Sequence, residues 1–516
     1  QRMSTEVAMM QNLGSNPRHT FESLLDEAKI KLKADPDNGL KHGEIDKQAH
    51  RAISMYNTLD ANTRAIDSTL GNVMGGLRAL MVASKLGGTT LTTFGDHASM
   101  KKVANMLGLS YTKSILPEYI KQLKQGATRD EALRFGLGIN EMAGSMTRFG
   151  DADIVSSATK SGRFNARMQA FAATTMKLSG LNAVTAGAKR AFNLVHMNKL
   201  AELTRKTDWK DLGADDLKIL QGNGITERDW QLWQQLEPSK REDGTAVLTQ
   251  NDFFKASDDV IKQFLPLDKQ DSANAIADFR YKAAMKYQTH IFNEESVAII
   301  EAGVRERSII NLGEAGTIQG ELGRTLFQFK GFPLAYMFRI GHRAFAQGDI
   351  KSRVTFLASL LAYQTLAGAL IVQTQNLANG KNPEPVFTID FFGKSLLKGG
   401  GLSFLGDIMS ALSDPTGRSA SDFISGPLLG QSMKLGMLLT GMGNNIIEGK
   451  ESTRMMEVAN TLKSNIPLQN LWYSKLVVDR MLYSKMQNMI DPDYLPRTQQ
   501  RLENLGNSYW WDLSEE

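Results

Sequence analysis

The fragment FNEESVAII sets two carboxylates, Glu294 and Glu295, directly before Ser296, and no other stretch of this 516-residue chain has residues so suited to acid–base chemistry. A Glu whose proton is held by its surroundings can act as a general acid on a glycosidic bond, and peptidoglycan-cleaving transglycosylases use one in a Glu-Ser context. The Gly-Leu-Met-Gln and Asn-Tyr elements that accompany such a Glu do not follow downstream. Glu294 and Glu295 therefore read as helix-surface acids. The seven histidines (His19, His42, His50, His97, His196, His290, His342) are scattered, with no HxH or HExxH pair to share a metal on one helical face. Cysteine is absent, which excludes thiolate chemistry, disulfides and thiol-bound zinc. Neither a GxSxG elbow, nor GxxxxGK followed by Ser or Thr, nor GxGxxG occurs. The expectation is a chain with no catalytic residue, no cofactor and no metal.

The elements are more informative than any such constellation. Val354 to Gly380 carries no charged side chain, in a chain of which 22% is charged. Its core, Val354 to Val372, is about 19 residues, the lower edge of what a helix needs to cross a bilayer core of roughly 30 Å. Just before it, Leu322 to Arg353 holds Arg324, Lys330, Arg339, Arg343, Lys351 and Arg353 against one acid, Asp349. The candidates for membrane insertion are Val354, Phe356, Leu357, Leu360, Leu361, Leu366, Leu370, Ile371 and Val372. The candidates for contact with lipid or DNA are Arg324, Phe329, Lys330, Phe332, Pro333, Arg339, His342, Arg343, Lys351 and Arg353. Arg339, His342 and Arg343 would either be solvated or snorkel to headgroups. The apolar run has two readings, a buried central helix of a soluble bundle or a conditional membrane span. Thr355, Ser359, Gln364, Thr365 and Gly368 make it polar enough for both settings.

Elsewhere the chain reads as helix from end to end: 13 Pro, no Cys and abundant Ala, Leu, Met and Lys. The net charge of +5 permits contact with nucleic acid or anionic lipid and demands neither. Residues 1–160 form an N-terminal helical region, in which Leu70 to Lys85 has Gly71 and Gly75 in GxxxG spacing and suits close packing in a bundle. Residues 161–200 form one long helix rich in small residues, a marginal, conditionally inserting segment. Residues 201–268 form a small soluble domain with Trp230 and Trp233 as core and Thr226 capping a helix. Residues 269–380 hold a long helix, the basic aromatic segment and the apolar helix. Residues 381–450 contain VFTIDFF, Val386 to Phe392, whose alternation and trailing glycines predict a β-hairpin near 386–405, and continue to a second apolar stretch, Ser425 to Ile447. Residues 451–516 close with a helix and an aromatic tail, Tyr509, Trp510 and Trp511. The fold class expected is all-α, an extended multi-helix assembly with that one hairpin. Since the chain starts at Gln1, it reads as a piece of a longer polypeptide.

Residues Gly323 to Phe345 (GRTLFQFKGFPLAYMFRIGHRAF) and Tyr494 to Asp512 (YLPRTQQRLENLGNSYWWD) resemble the large internal virion proteins, or DNA ejection proteins, of short-tailed phages. In that family an Arg-rich Phe-Lys-x-Phe-Pro element leads into an apolar helix, a part played here by Phe329-Lys330-Gly331-Phe332-Pro333. The resemblance covers Asp271 to Arg353 best and the N-terminal third least, and it includes no catalytic motif. It implies storage in the capsid as a core around the portal, passage through the tail, and reassembly in the host periplasm and inner membrane. The implied partners are other copies of the chain, other ejection proteins, the portal, host inner-membrane lipid and double-stranded DNA in transit. A transglycosylase domain found in some members lies outside these residues. Beside this stand two alternatives, a soluble structural core or tape-measure-like scaffold and a muralytic enzyme centred on Glu295.

Overall fold

The computed structural model describes residues 7–510 apart from 138–158, 401–465 and short breaks at 8, 11, 36–38, 60–66, 125–129, 133, 311–313, 347, 467, 491 and 505–507. The second apolar stretch, Ser425 to Ile447, and Trp511 lie outside the described residues. Among the described residues the fold is all-α with one small antiparallel sheet.

Helices α1 (Pro17–Ala34) and α2 (His42–Leu59) make a peripheral hairpin, closed by stacked Phe21 and Tyr56 rings with centroids 4.6 Å apart. Helix α3 (Ser68–Lys85) is capped by Asp67, whose carboxylate accepts from the amides of Thr69 and Leu70. After α3 come α4 (Phe94–Met106), α5 (Leu116–Lys124) and α6 (Lys160–Leu178). Pro117 lies just after a π-helical turn, Tyr111–Ile115, that runs into α5 without a break, and the wider turn accommodates its missing N–H. The expected bundle packing of α3 is realised against α6. A side chain on Gly76 would lie 2.5 Å from the Phe164 ring, and Asn165 bonds Asn72 across the contact at 3.2 Å.

The expected single helix over 161–200 is two. Ser179 and Gly180, with Gly180 at φ 79°, end α6 and start α7 (Leu181–Lys206). Glycine enters this left-handed region without the Cβ penalty that stops other residues.

Helices α8 (Ala214–Gly222) and α9 (Glu227–Gln235) follow, the latter with the expected capping box: Asp229 takes the Thr226 amide at 2.8 Å. Strands β1 (Ser239–Lys240) and β2 (Ala246–Val247) form the two-stranded sheet. Next come α10 (Gln250–Lys255), α11 (Asp258–Lys262) and the long α12 (Ala273–Ala298). Trp230 and Trp233 are core as expected, but the core is not confined to their segment: Leu194 and Met197 of α7 and Tyr287 of α12 complete it.

Three short or medium helices, α13 (Val304–Ile310), α14 (Ile318–Leu326) and α15 (Gly331–Phe345), lead into the apolar one, α16 (Ile350–Ala378). A second core joins Met100 of α4, Phe192 of α7, Ile340 of α15, and Phe356 and Leu360 of α16. The hairpin expected near 386–405 is absent from the described part of that range. Residues Ile389–Lys398 are helix α17, started by Thr388, whose hydroxyl accepts from the Phe391 amide at 3.2 Å. That cap, with Asp390 in the first turn, outweighs the strand-like alternation. Near the C-terminus lie α18 (Lys475–Val478), α19 (Lys485–Ile490) and α20 (Tyr494–Asn504). Tyr509 bridges to Lys381, and the Trp510 indole donates to the Leu377 carbonyl at 3.2 Å, so the expected aromatic tail docks on the turn after α16.

Candidate functional site

Helix α16 has 29 residues and so is about 43 Å long. Among the described residues it is the one helix long and apolar enough to cross a membrane, and only 33% of its most apolar stretch is buried. The insertion candidates divide by face. Phe356, Leu360, Ile371 and Val372 are buried, together with Gln364, Ala367 and Gly368, at spacings that keep one stripe facing the protein. Val354 (59% exposed), Leu357, Leu366 (65%) and Leu370 (58%) face outward, and Leu361 is half-buried between the two faces. Four of the nine candidates are thus core residues in this fold, and the soluble-bundle reading of a fully buried helix does not hold either. An apolar face on both sides is what distinguishes α16 from an ordinary amphipathic surface helix.

Two different kinds of contact hold the buried stripe. Helix α17 comes so close that a Cβ on Gly368 would lie 1.8 Å from the Ser395 carbonyl oxygen, and one on Gly399 would lie 1.9 Å from that of Gln364. Backbone meets backbone there, as in small-residue crossings of membrane helices. On another side, α4 lays two lysines across the middle of α16. Lys102 donates to Ser359 at 2.6 Å and stands 4.5 Å from the Phe356 ring centre, while Lys101 stands 4.3 Å from that of Tyr363. Burial holds the Lys102 ammonium below its ordinary pKa. Gln364 also donates to the Tyr336 hydroxyl on α15.

The basic and aromatic candidates have several fates. Arg324 is buried: with Arg78 it flanks Glu321, at 3.2 Å and 2.6 Å respectively. It therefore meets neither lipid nor DNA in this fold, because its charge is consumed by an internal carboxylate. Phe329 sits at the turn between α14 and α15 with φ 69°, a conformation bulky side chains seldom adopt, and its ring packs against the cluster containing Ala79, Val82 and Met176. Lys330 is half-buried and stands 5.3 Å from the Phe327 ring centre. Phe332 packs beside Tyr336 on the second core, and Pro333 occupies the first turn of α15. The Phe-Lys-x-Phe-Pro element is thus a packed corner here.

Arg339, His342, Arg343 and Lys351 come together at the N-terminal end of α16, lining a cavity of about 800 Å³. Lys102 of α4, Lys218 of α8 and Arg305 of α13 line it too, a convergence of elements that sequence reading missed. Arg339 donates to the Ser296 carbonyl at 2.8 Å and lies 3.9 Å from Glu306. Arg343 pairs with Glu294. Arg353 does not line the cavity.

That pairing corrects the reading of the two carboxylates. Glu294 and Glu295 are buried, not surface acids. Glu294 accepts from Arg343 and, at 2.8 Å, from Asn223. Glu295 is held by Asn193 and by Lys189 at 3.4 Å, and Lys189 also reaches Glu301 at 2.7 Å. Burial nonetheless pushes the Glu295 pKa up. Beside this network His196 and His290 meet edge to face, 5.2 Å between ring centres. Burial depresses both, His290 to about 4. Among the described residues no group of three or more His, Asp or Glu is arranged to hold a metal ion.

No family model matches the chain, and no curated protein or solved structure shows significant similarity to it.

Proposed function

We propose that this chain is an internal virion protein of the ejection class, stored in a capsid and delivered to the host periplasm and inner membrane. There, copies of it join partner ejection proteins in a conduit for double-stranded DNA. The observation that carries this reading is the outward apolar stripe of α16, from Val354 through Leu357 and Leu366 to Leu370, on a helix long enough to cross a bilayer. A helical chain without disulfides, rich in local contacts, also suits passage through a narrow tail and refolding afterwards. No catalysis is proposed for this chain: Glu295 is buried in an ion-paired network and does not line the cavity.

Flotation with anionic liposomes, combined with protease protection and dye release, tests the reading. A protected fragment spanning Val354 to Val372, with leakage, is expected, and Leu366→Arg should abolish both because it puts a charge on the exposed stripe. A chain that stays at the bottom of the gradient, with the stripe covered in a soluble oligomer, would overturn it in favour of a structural core that never meets lipid. The lysine contacts across α16 favour that second reading for the fold as it stands, since α16 cannot enter lipid while Lys101 and Lys102 lie on it.

A further inference from the structure

We infer that the basic cavity at the N-terminal end of α16 is a binding site for the phosphate of an anionic phospholipid headgroup; the inference rests on the membrane reading above. The lining carries six Lys and Arg side chains against two acids, Asp215 and Glu306. Two of the six cations, Arg339 and Arg343, are engaged with Glu306 and Glu294, and Lys102 is turned to Ser359. Lys218, Arg305 and Lys351 come from three different helices, and none has a carboxylate partner among the described residues. Against two lining acids, one of them already beside Arg339, these cations leave the concavity net positive even with Arg305 4.5 Å from the Phe338 ring centre, an arrangement that favours a multivalent oxyanion. About 800 Å³ accommodates a glycerophosphate headgroup.

The choice of lipid over a free phosphate or a nucleic acid backbone follows from what adjoins the cavity. Lys351, Ser352 and Thr355 line it, while on the same two turns Ile350 (77% exposed), Val354 and Leu357 begin the outward apolar stripe. Phe345, at the end of α15, is also 74% exposed. A ligand that fits both surfaces has a phosphate at one end and hydrocarbon at the other. Duplex DNA offers phosphates on a convex rail and nothing for the apolar half.

The test is flotation with vesicles of phosphatidylcholine alone and of phosphatidylcholine with phosphatidylglycerol, each with and without inorganic phosphate as competitor. The wild-type chain should prefer the phosphatidylglycerol vesicles. The pair Lys218→Gln and Lys351→Gln, both at exposed side chains, should lower that preference about tenfold or more. The control pair Lys206→Gln and Lys282→Gln removes equal charge from elsewhere and should leave the preference intact. Equal losses in the two pairs would reduce the effect to bulk charge and overturn the site. Phosphate binding at the cavity without any vesicle preference would assign it to free phosphate and overturn the lipid commitment. Absence of flotation with every vesicle, with Leu366→Arg no different, is the separate failure of the membrane reading itself.

Discussion

Gly368 of α16 and Ser395 of α17 touch backbone to backbone: a methyl group on Gly368 would come within 1.8 Å of the Ser395 carbonyl oxygen. The neighbouring Gly393 of α17 meets nothing within 4 Å of the same kind of added atom. Gly368→Ala should therefore destabilise the chain by about 1–3 kcal/mol, because the helices must part. Gly393→Ala should stabilise it by up to about 1 kcal/mol through helix propensity alone. Urea denaturation of the two variants checks this, and equal effects would mean that the crossing is looser than described.

Acid should weaken the fold. His196 and His290 are buried side by side, with His290 lowered to about 4, and burial lowers His97 to about 4 as well. The charged neighbours act in both directions: Glu294 pulls His290 up, while Arg343 and Lys199 push the pair down. The unfolded histidines take up protons below about pH 6.5 and the folded ones do not, so stability falls as pH drops from about 6.5 toward 4. Glu295, raised by burial, opposes this with at most one proton. Three histidine protons less one leave a net slope of about two, and His290 alone accounts for on the order of 3 kcal/mol. Denaturation midpoints at pH 7.5 and 5.0 should differ clearly, and His290→Gln should flatten the difference. Identical midpoints would show that these rings are not held neutral.

Glu321 lies between the buried guanidinium groups of Arg78 and Arg324 and pairs with both, and it also accepts from the Gly316 amide at 2.8 Å. Glu321→Gln would leave two buried cations facing a neutral amide. The expected loss is about 3–5 kcal/mol. A thermal melt within a degree or two of the wild type would rule out this accounting.

The lysine contacts of α4 should act as a restraint on α16. Since the chain has no cysteine, Lys102→Cys with Ser359→Cys supplies a unique pair for a short bis-maleimide bridge. The bridged protein should retain its fold and lose dye release from vesicles, and the unbridged double variant should release dye at least as fast as wild type. Undiminished leakage after bridging would mean that α16 need not leave α4.

How far the sequence discloses this arrangement depends on the range of the interaction. The cap at Thr226 and the Trp230–Trp233 pair rest on residues a few positions apart and were readable, whereas the close packing of α3 was readable from its glycines but not in its partner, α6, or its closest point, Gly76. The break at Ser179-Gly180 and the cap at Thr388 are also local, and were masked by stronger patterns: a run of small residues in one case, strand-like alternation in the other. The burial of Glu294 and Glu295 could not be read, because their cationic partners, Arg343 and Lys189, lie far away along the chain. Helix α16 itself stands out by its lack of charge. Its facing does not, since Leu366 and Leu370 outside are as apolar as Leu360 and Ile371 inside. The basic cavity draws on α4, α8, α13, α15 and α16, and only tertiary structure assembles such a set.

The two grips on α16 respond in opposite ways to a change of surroundings. The crossing with α17 consists of close carbon and carbonyl contacts with no charge to solvate, so it is about as strong in hydrocarbon as in water. The grip of α4 consists of ammonium groups, whose removal from water grows more costly as the dielectric falls. A drop in polarity around this helix would therefore weaken the lysine contacts of α4 before the glycine-packed crossing with α17.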